Sequence, residues 1–139
     1  MAGYLLDTNV LSELRKGDRC NANVRAWVLA QDDGELFISV LALAEFRDGI
    51  EGLRPRDPEQ AARLERWLEE TEATYSGRLL PVTANVADRW GRLRNPQPIS
   101  DFDRLIAATA VEHQLQIVTR NLRDFERSGV GVVNPWDAV

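Results

Sequence analysis

The strongest constraint on the fold is an alternation. Short apolar runs of four to six residues recur along the chain, and between them lie stretches with the three-to-four residue spacing of amphipathic helices. "YLLD" (4–7), "ELFIS" (35–39), "RLLPVT" (78–83), "QIVTRN" (116–121) and "VGVVN" (130–134) read as five strands. The intervening segments at 21–31, 40–53, 56–75, 83–93 and 100–115 read as helices, and "VLSELRK" as the start of another. Strands joined by helices of this length imply right-handed crossovers. The expected fold is therefore α/β, a central, mainly parallel sheet of about five strands with helices on both faces in three layers. Punctuation supports the helices. Asp57, Pro58 and Gln60 fit an N-cap, first-turn proline and capping box, Thr83 precedes another helix as a cap, and "NPQP" (95–98) should break it.

At 139 residues one domain spanning the chain is expected, with a core that needs no staples. The single cysteine, Cys20, cannot form an internal disulfide. No apolar run approaches a membrane span and the N-terminus lacks a secretion-signal pattern, so the protein is expected to be cytoplasmic and away from membranes. One cysteine and one histidine, His113, exclude a zinc site of the usual kind and any two-histidine nuclease mechanism. Any chemistry falls to carboxylates. The net charge of −5 does not favour a nucleic-acid binder, although a cation held among acids would change that locally. All basic residues but Lys16 are arginines, a residue suited to bidentate phosphate contacts.

In a parallel sheet the site lies at the carboxyl ends of the strands. Four acids stand in places that draw attention there. Asp7 ends the first strand, where it could serve as an Asx-turn or helix cap or as a site acid. Glu45 sits in the apolar helical run "SVLALAEFRDG", either buried or on a solvated stripe beside Arg47 and Asp48. Asp103 falls at the third helical position if Ser100 is the cap, with Asp101 competing for that role. Asp124 follows the fourth strand, near Thr119 and Asn121, as a site acid or the cap of a short helix.

Two carboxylates about 5 Å apart repel by roughly 3 kcal/mol at an effective dielectric of 20. Acids that converge therefore call for a divalent cation, and oxygen-only ligands suit Mg²⁺ or Mn²⁺. Such a site at a sheet's end points to metal-assisted hydrolysis of a phosphodiester. The tryptophans at 27, 67 and 90 lie at core spacing and read as packing or dimer contacts, and His113 near a helix end as a partner of the helix dipole.

"LLDTNVLSE", "ISVLALAEFRDGI", "DRLIAATA" and "IVTRNLRDF", in this order, resemble the PIN-domain ribonucleases, and most of all the VapC-type toxins of type II toxin–antitoxin pairs, including the FitB-like branch with its closing "NPW". The resemblance runs from residue 4 to about 137. It implies an α/β/α fold and a Mg²⁺- or Mn²⁺-dependent endoribonuclease cutting tRNA or another structured RNA, blocked by a cognate VapB-type antitoxin and commonly homodimeric. Asp7, Glu45 and Asp103 match the family's first three acids. Asp7 and Asp103 would be direct metal ligands, and Glu45 would bind a second metal or orient water. The fourth acid falls at Asn121 in some relatives and three residues later, at Asp124, in others. Thr8 and Asn9 would tie down the loop, leaving the turn role to them rather than to Asp7, and Thr119 would support the site. Arg15, Arg47, Arg104, Arg120 and Arg123 are the candidate phosphate contacts. A structure-selective DNA nuclease, an inert PIN-like interaction module and a small-molecule Mg²⁺ phosphatase are the rival readings. The phosphatase is disfavoured because Asn9 stands where a second aspartate would be needed.

Overall fold

The computed structural model describes residues 3–93, 99–126 and 128–137. Its centre is the strand the alternation begins with, β1 (Tyr4–Leu6). After it come α1 (Thr8–Leu14), α2 (Ala22–Leu29), β2 (Leu36–Ser39), α3 (Val40–Leu53) and α4 (Pro58–Thr74). The second half holds β3 (Leu79–Leu80), α5 (Ala84–Arg92), α6 (Asp101–Glu112), β4 (Gln116–Val118), α7 (Leu122–Glu126) and β5 (Val132–Val133). The strands line up in the order β3-β2-β1-β4-β5, and every pairing is parallel. The expected α/β/α architecture is the one observed.

Successive strand side chains point to opposite faces, and the apolar residues follow that rule. Leu6, Ile38 and Val118 pack on one face with Val10 and Leu11 of α1, Val24 of α2 and Ala42 of α3. Leu5 and Ile117 pack on the other with Ile106, Ala107 and Ala110 of α6 and Phe125 of α7. Each fully buried leucine or isoleucine of these strands contributes about 1.5–3 kcal/mol of burial energy, before the entropy cost of ordering it. Alpha-4 joins the first layer through a smaller cluster of Ile50, Ala61 and Leu68, and α5 packs on α6. The alanines at 107, 108 and 110 are fully buried, so α6 lies close on the sheet and its first turn is held at the sheet's end.

Strand ends differ from the expectation in one consistent way: they stop early. The run at 78–83 pairs only at Leu79–Leu80, because Pro81 has no N–H to give the ladder and Val82 is exposed. The run at 130–134 pairs only at Val132–Val133. The run at 116–121 leaves the sheet after Val118, where Thr119 and Asn121 turn to other partners. The caps fall where they should: Asp57 accepts from the Gln60 N–H at 3.2 Å, Thr83 from Val86 at 3.2 Å and Ser100 from Asp103 at 3.0 Å. The expected break at "NPQP" lies outside the described residues. His113 caps α6, and Gln114 then turns into β4 with φ +57°, a left-handed conformation that normally favours glycine. Trp27 meets Tyr4 and Trp67 meets Phe46, both edge to face, which makes them packing residues. Among the described residues no helix is long and apolar enough to cross a membrane.

Candidate active site

Strand β1 has β2 on one side and β4 on the other, so chain connections leave the sheet in opposite directions at the β1–β4 edge. That is the crevice where parallel α/β sheets place ligands. Asp7 follows β1 and Thr119 follows β4, and the two side chains meet across it: Thr119 Oγ1 donates to Asp7 Oδ2 at 2.8 Å. The other carboxylate oxygen accepts from the Thr8 N–H at 2.8 Å. Asp7 is only 5% exposed.

Thr119 is the hub of this side. Its hydroxyl gives its one hydrogen to Asp7 and accepts two bonds, from Asn9 Nδ2 at 3.1 Å and from the Asn121 N–H at 3.0 Å. A hydroxyl offers one donor and two acceptor sites, so all are used. Asn9 closes the loop by accepting from the Arg120 N–H at 3.3 Å. Thr119 therefore carries more of the site than a supporting hydroxyl at the sheet edge. The sequence gives no local signal for the bonds to Asp7 and Asn9, which lie 112 and 110 residues away.

One expectation is corrected. Asp7 does occupy the N-cap position of α1: its backbone is extended and its carbonyl accepts from Val10 at 3.0 Å and Leu11 at 3.3 Å. The turn and the buried acid are one residue with two jobs, the carbonyl starting the helix and the carboxylate facing the crevice.

Asp103 and Glu45 approach from helices. Asp103 is the third residue of α6, as the capping pattern implies, and it is half-buried; Asp101 is exposed. Glu45 lies on α3, also half-buried, so neither the fully buried nor the fully solvated alternative holds. Burial pushes the Asp7, Glu45 and Asp103 carboxyls upward, and charge from neighbouring acids adds to it. Asp7 and Asp103 both raise Glu45. Asp124, on α7, raises Asp7 and Asp103. Asp124 thus acts on Asp7 and Asp103, Asp7 on Asp103, and both of these on Glu45. Among the groups acting on these three carboxyls there is no arginine or lysine; only hydroxyls and a backbone N–H favour their charged forms.

The donor set suits a hard cation. It is all oxygen, no basic side chain is among the groups acting on the three raised carboxyls, and the Thr8 hydroxyl lies near Glu45. The same residues form no closed cage: no group of three or more acids, histidines or cysteines is already arranged around a common ion position. Asn121 reaches this network through its backbone, whereas Asp124 reaches it by charge.

The candidate arginines separate. Arg15 and Glu45 share a cavity of about 210 Å³ between α1, α3 and α4, with Phe46 and Trp67 in its wall. Arg104 and Arg120 stand next in sequence to Asp103 and Thr119. Arg123 is exposed on α7. Arg47 is turned to Glu51 at 3.3 Å and to Glu65 of α4, and with Arg54 it ties α3 to α4. Glu51 in that network is held down to about 2 by Arg54 and Arg47. Glu13, which sequence reasoning passed over, is buried and accepts from Lys16 at 3.0 Å and the Asn21 N–H at 2.9 Å, joining the end of α1 to the start of α2.

The fold is shared with known proteins. The chain matches the PIN domain over residues 4–130. It is 33% identical to the VapC ribonuclease Y4jK of Sinorhizobium fredii over 138 residues, covering 96% of this chain and 97% of that protein. The toxin FitB of Neisseria gonorrhoeae is 32% identical over 137 residues, with 95% and 97% covered. The solved structure of FitAB bound to an IR36 DNA fragment superposes with a TM-score of 0.87 at 30% identity, covering 98% of this chain and 97% of that one. With the fold, the motif order and whole-length similarity in agreement, the chain belongs to the PIN-domain family, alongside the VapC ribonucleases and the FitB toxin.

Proposed function

We propose that the chain is a Mg²⁺- or Mn²⁺-dependent endoribonuclease, the toxin of a VapBC-type pair, cutting tRNA or another structured RNA. The observation that carries this reading is the crevice at the β1–β4 edge, where the buried Asp7 is held across it by Thr119, and where burial and neighbouring acids push Asp7, Glu45 and Asp103 up with no basic side chain among the causes. Asp7 and Asp103 would hold the cation, with Glu45 and Asp124 at its margin. Once bound, a divalent ion there activates water and neutralises charge on the phosphate being attacked. The protein supplies the rest. Thr119 and the Thr8 N–H orient both oxygens of Asp7. Ser100 fixes the first turn of α6 and so the position of Asp103. Glu45, raised by burial and by its acid neighbours, suits a role in orienting the attacking water and taking its proton at the carboxylate. Relatives named as ribonucleases support the reaction class, and the likeness to a FitAB complex supports a VapB-type antitoxin as partner. A homodimer is the inherited expectation for assembly.

The test is incubation of purified protein with total bacterial RNA, in Mg²⁺ or in EDTA, followed by sequencing of new 5′ ends. Discrete 5′-phosphate ends in one RNA class, present with Mg²⁺ and absent with EDTA or with Asp103→Asn, are expected. Ends that form equally in EDTA, or folded protein that cuts DNA and leaves RNA intact, would overturn the reading.

A further inference from the structure

Two arginines stand next in sequence to site residues, and each lies on a tryptophan. Arg104, next to Asp103 on α6, holds its guanidinium 3.8 Å from the centroid of the Trp90 ring of α5. Arg120, next to Thr119 on the loop after β4, lies 4.8 Å over the ring of Trp136. Both backbones are anchored to the site's own elements: the Arg104 N–H donates to the Ser100 carbonyl at 3.0 Å and the Arg120 N–H to Asn9 at 3.3 Å. Trp136 is fixed in turn, its N–H donating to Asn134 Oδ1 at 3.0 Å and its carbonyl accepting from Asn23 at 2.8 Å. The closing "NPW" thereby holds the Trp136 ring against Arg120.

These arginines differ from Arg47 and Arg54, whose donors are committed to glutamates. Among the described residues Arg104, whose side chain is largely buried, pairs only with the exposed Asp101 at 3.7 Å. Arg120 forms no salt bridge among the described residues, and the acid that senses it, Glu13, already binds Lys16 and the Asn21 N–H. Stacking occupies the face of a guanidinium and leaves its N–H edge free, so a stacked arginine is a planar fork held ready for an oxyanion. A chain of net charge −5 must find its positive contacts with a polyanion in a few placed groups. Arg104 is on the helix that carries Asp103, and Arg120 is on the loop that carries Thr119.

We propose that Arg104 on Trp90 and Arg120 on Trp136 are two pre-set phosphate clamps that grip the RNA backbone on either side of the bond to be cut. The proposal rests on the nuclease reading for its ligand. The arginines are positioning residues, acting on flanking phosphates and leaving the reacting one to the acids. The tryptophans act through them.

The experiment measures binding of unfractionated bacterial tRNA in EDTA across a KCl series, using Asp7→Asn protein so that no RNA is cut. Arg104→Gln and Arg120→Gln, added singly, should each weaken binding about 3–10-fold and reduce the slope of log K against log salt by about 0.7–0.9. Trp136→Leu and Arg120→Lys keep the charge but lose the stack or the fork, so affinity should fall about 2–5-fold with the slope retained. A merely structural pair would not move the slope. A folded Arg104→Gln/Arg120→Gln protein with unchanged affinity and slope overturns the clamps, and if the wild type still cuts RNA the nuclease reading survives. Arginine-dependent slopes in a protein that cuts no RNA would instead support the clamps and remove the nuclease reading.

Discussion

The two sides of the acid crevice are built differently. On the strand-end side Asp7 is buried, both of its oxygens accept bonds, and the Thr119 hydroxyl that holds it has every donor and acceptor site in use. On the helix side Asp103 and Glu45 are half-buried, raised by burial and by other acids, and favoured only by the Ser100 and Thr8 hydroxyls. One side is preorganised by hydrogen bonds that exist without a ligand. The other is held by fewer such bonds, while burial raises the acids on both sides. Rigidity at one wall and less tightly bonded acids at the other is the arrangement that lets a cation bind at modest cost in ordering and still be held by field.

The largest effects should come from the acids, and they should split by side. Asp103→Asn should lower Mg²⁺-dependent RNA cleavage by about 10³-fold while raising the melting temperature of the metal-free protein by about 2 °C, since it removes a repelling charge and no buried bond. Asp7→Asn should lose as much activity but melt about 5 °C lower. An amide can accept from Thr119 or from the Thr8 N–H but not from both, and a lost charged bond costs about 1.5–3 kcal/mol. Cleavage assays and calorimetry on the pair decide it; equal shifts in melting would erase the distinction between the sides.

Thr119→Val comes next. It strands the Asn9 amide and the Asn121 N–H and removes the donor to Asp7, so about 2–3 kcal/mol of stability and about 10–100-fold of activity should be lost, with Thr119→Ser close to wild type. Denaturant unfolding alongside cleavage rates reads both.

A smaller effect lies in pH. A carboxyl whose folded pKa is raised opposes folding when ionised; the opposition is complete above the folded value and gone below the ordinary one, 3.8 for Asp7 and Asp103 and 4.5 for Glu45. Glu13, Glu51 and Glu65 are lowered, so their favourable contributions hold above 4.5 and fade as the pH falls below it. Metal-free melting should therefore rise as the pH falls through the raised values of the three site acids and drop as it falls further below about 4.5, where the lowered glutamates lose their contribution. Asp103→Asn should flatten the rise, and Mg²⁺ should move the maximum to higher pH. The smallest change, Gln114→Gly, should add about 0.5–1 kcal/mol by relieving a left-handed residue and leave cleavage untouched, as a control outside both sides of the crevice.

What the sequence showed and what it hid follow the same physical line. Caps and helix periods are local, so Asp57, Thr83 and Ser100 could be read directly, and with Ser100 came the place of Asp103. Strand ends are set by ladder partners elsewhere in the chain, so the runs at 78–83 and 130–134 were over-read. Asp7 could be named as a site acid from its place after an apolar run, but its simultaneous service as a helix cap depends on which atoms do which job. The Thr119 hub and the two arginine–tryptophan pairs join residues far apart in the chain or turn on side-chain direction. Arg47 shows the reverse error: two positions from Glu45 it seemed to face the crevice, yet α3 turns it to Glu51 and Glu65.

The most direct test of the central claim, that this crevice is a cation site assembled from both sides, is Mn²⁺ binding followed by electron paramagnetic resonance on the wild type, Asp7→Asn, Asp103→Asn and Thr119→Val. The account predicts uptake by the wild type, loss of at least about tenfold in affinity for each aspartate variant, and an intermediate loss for Thr119→Val. Unchanged uptake in folded Asp7→Asn and Asp103→Asn proteins would place the cation elsewhere and contradict it.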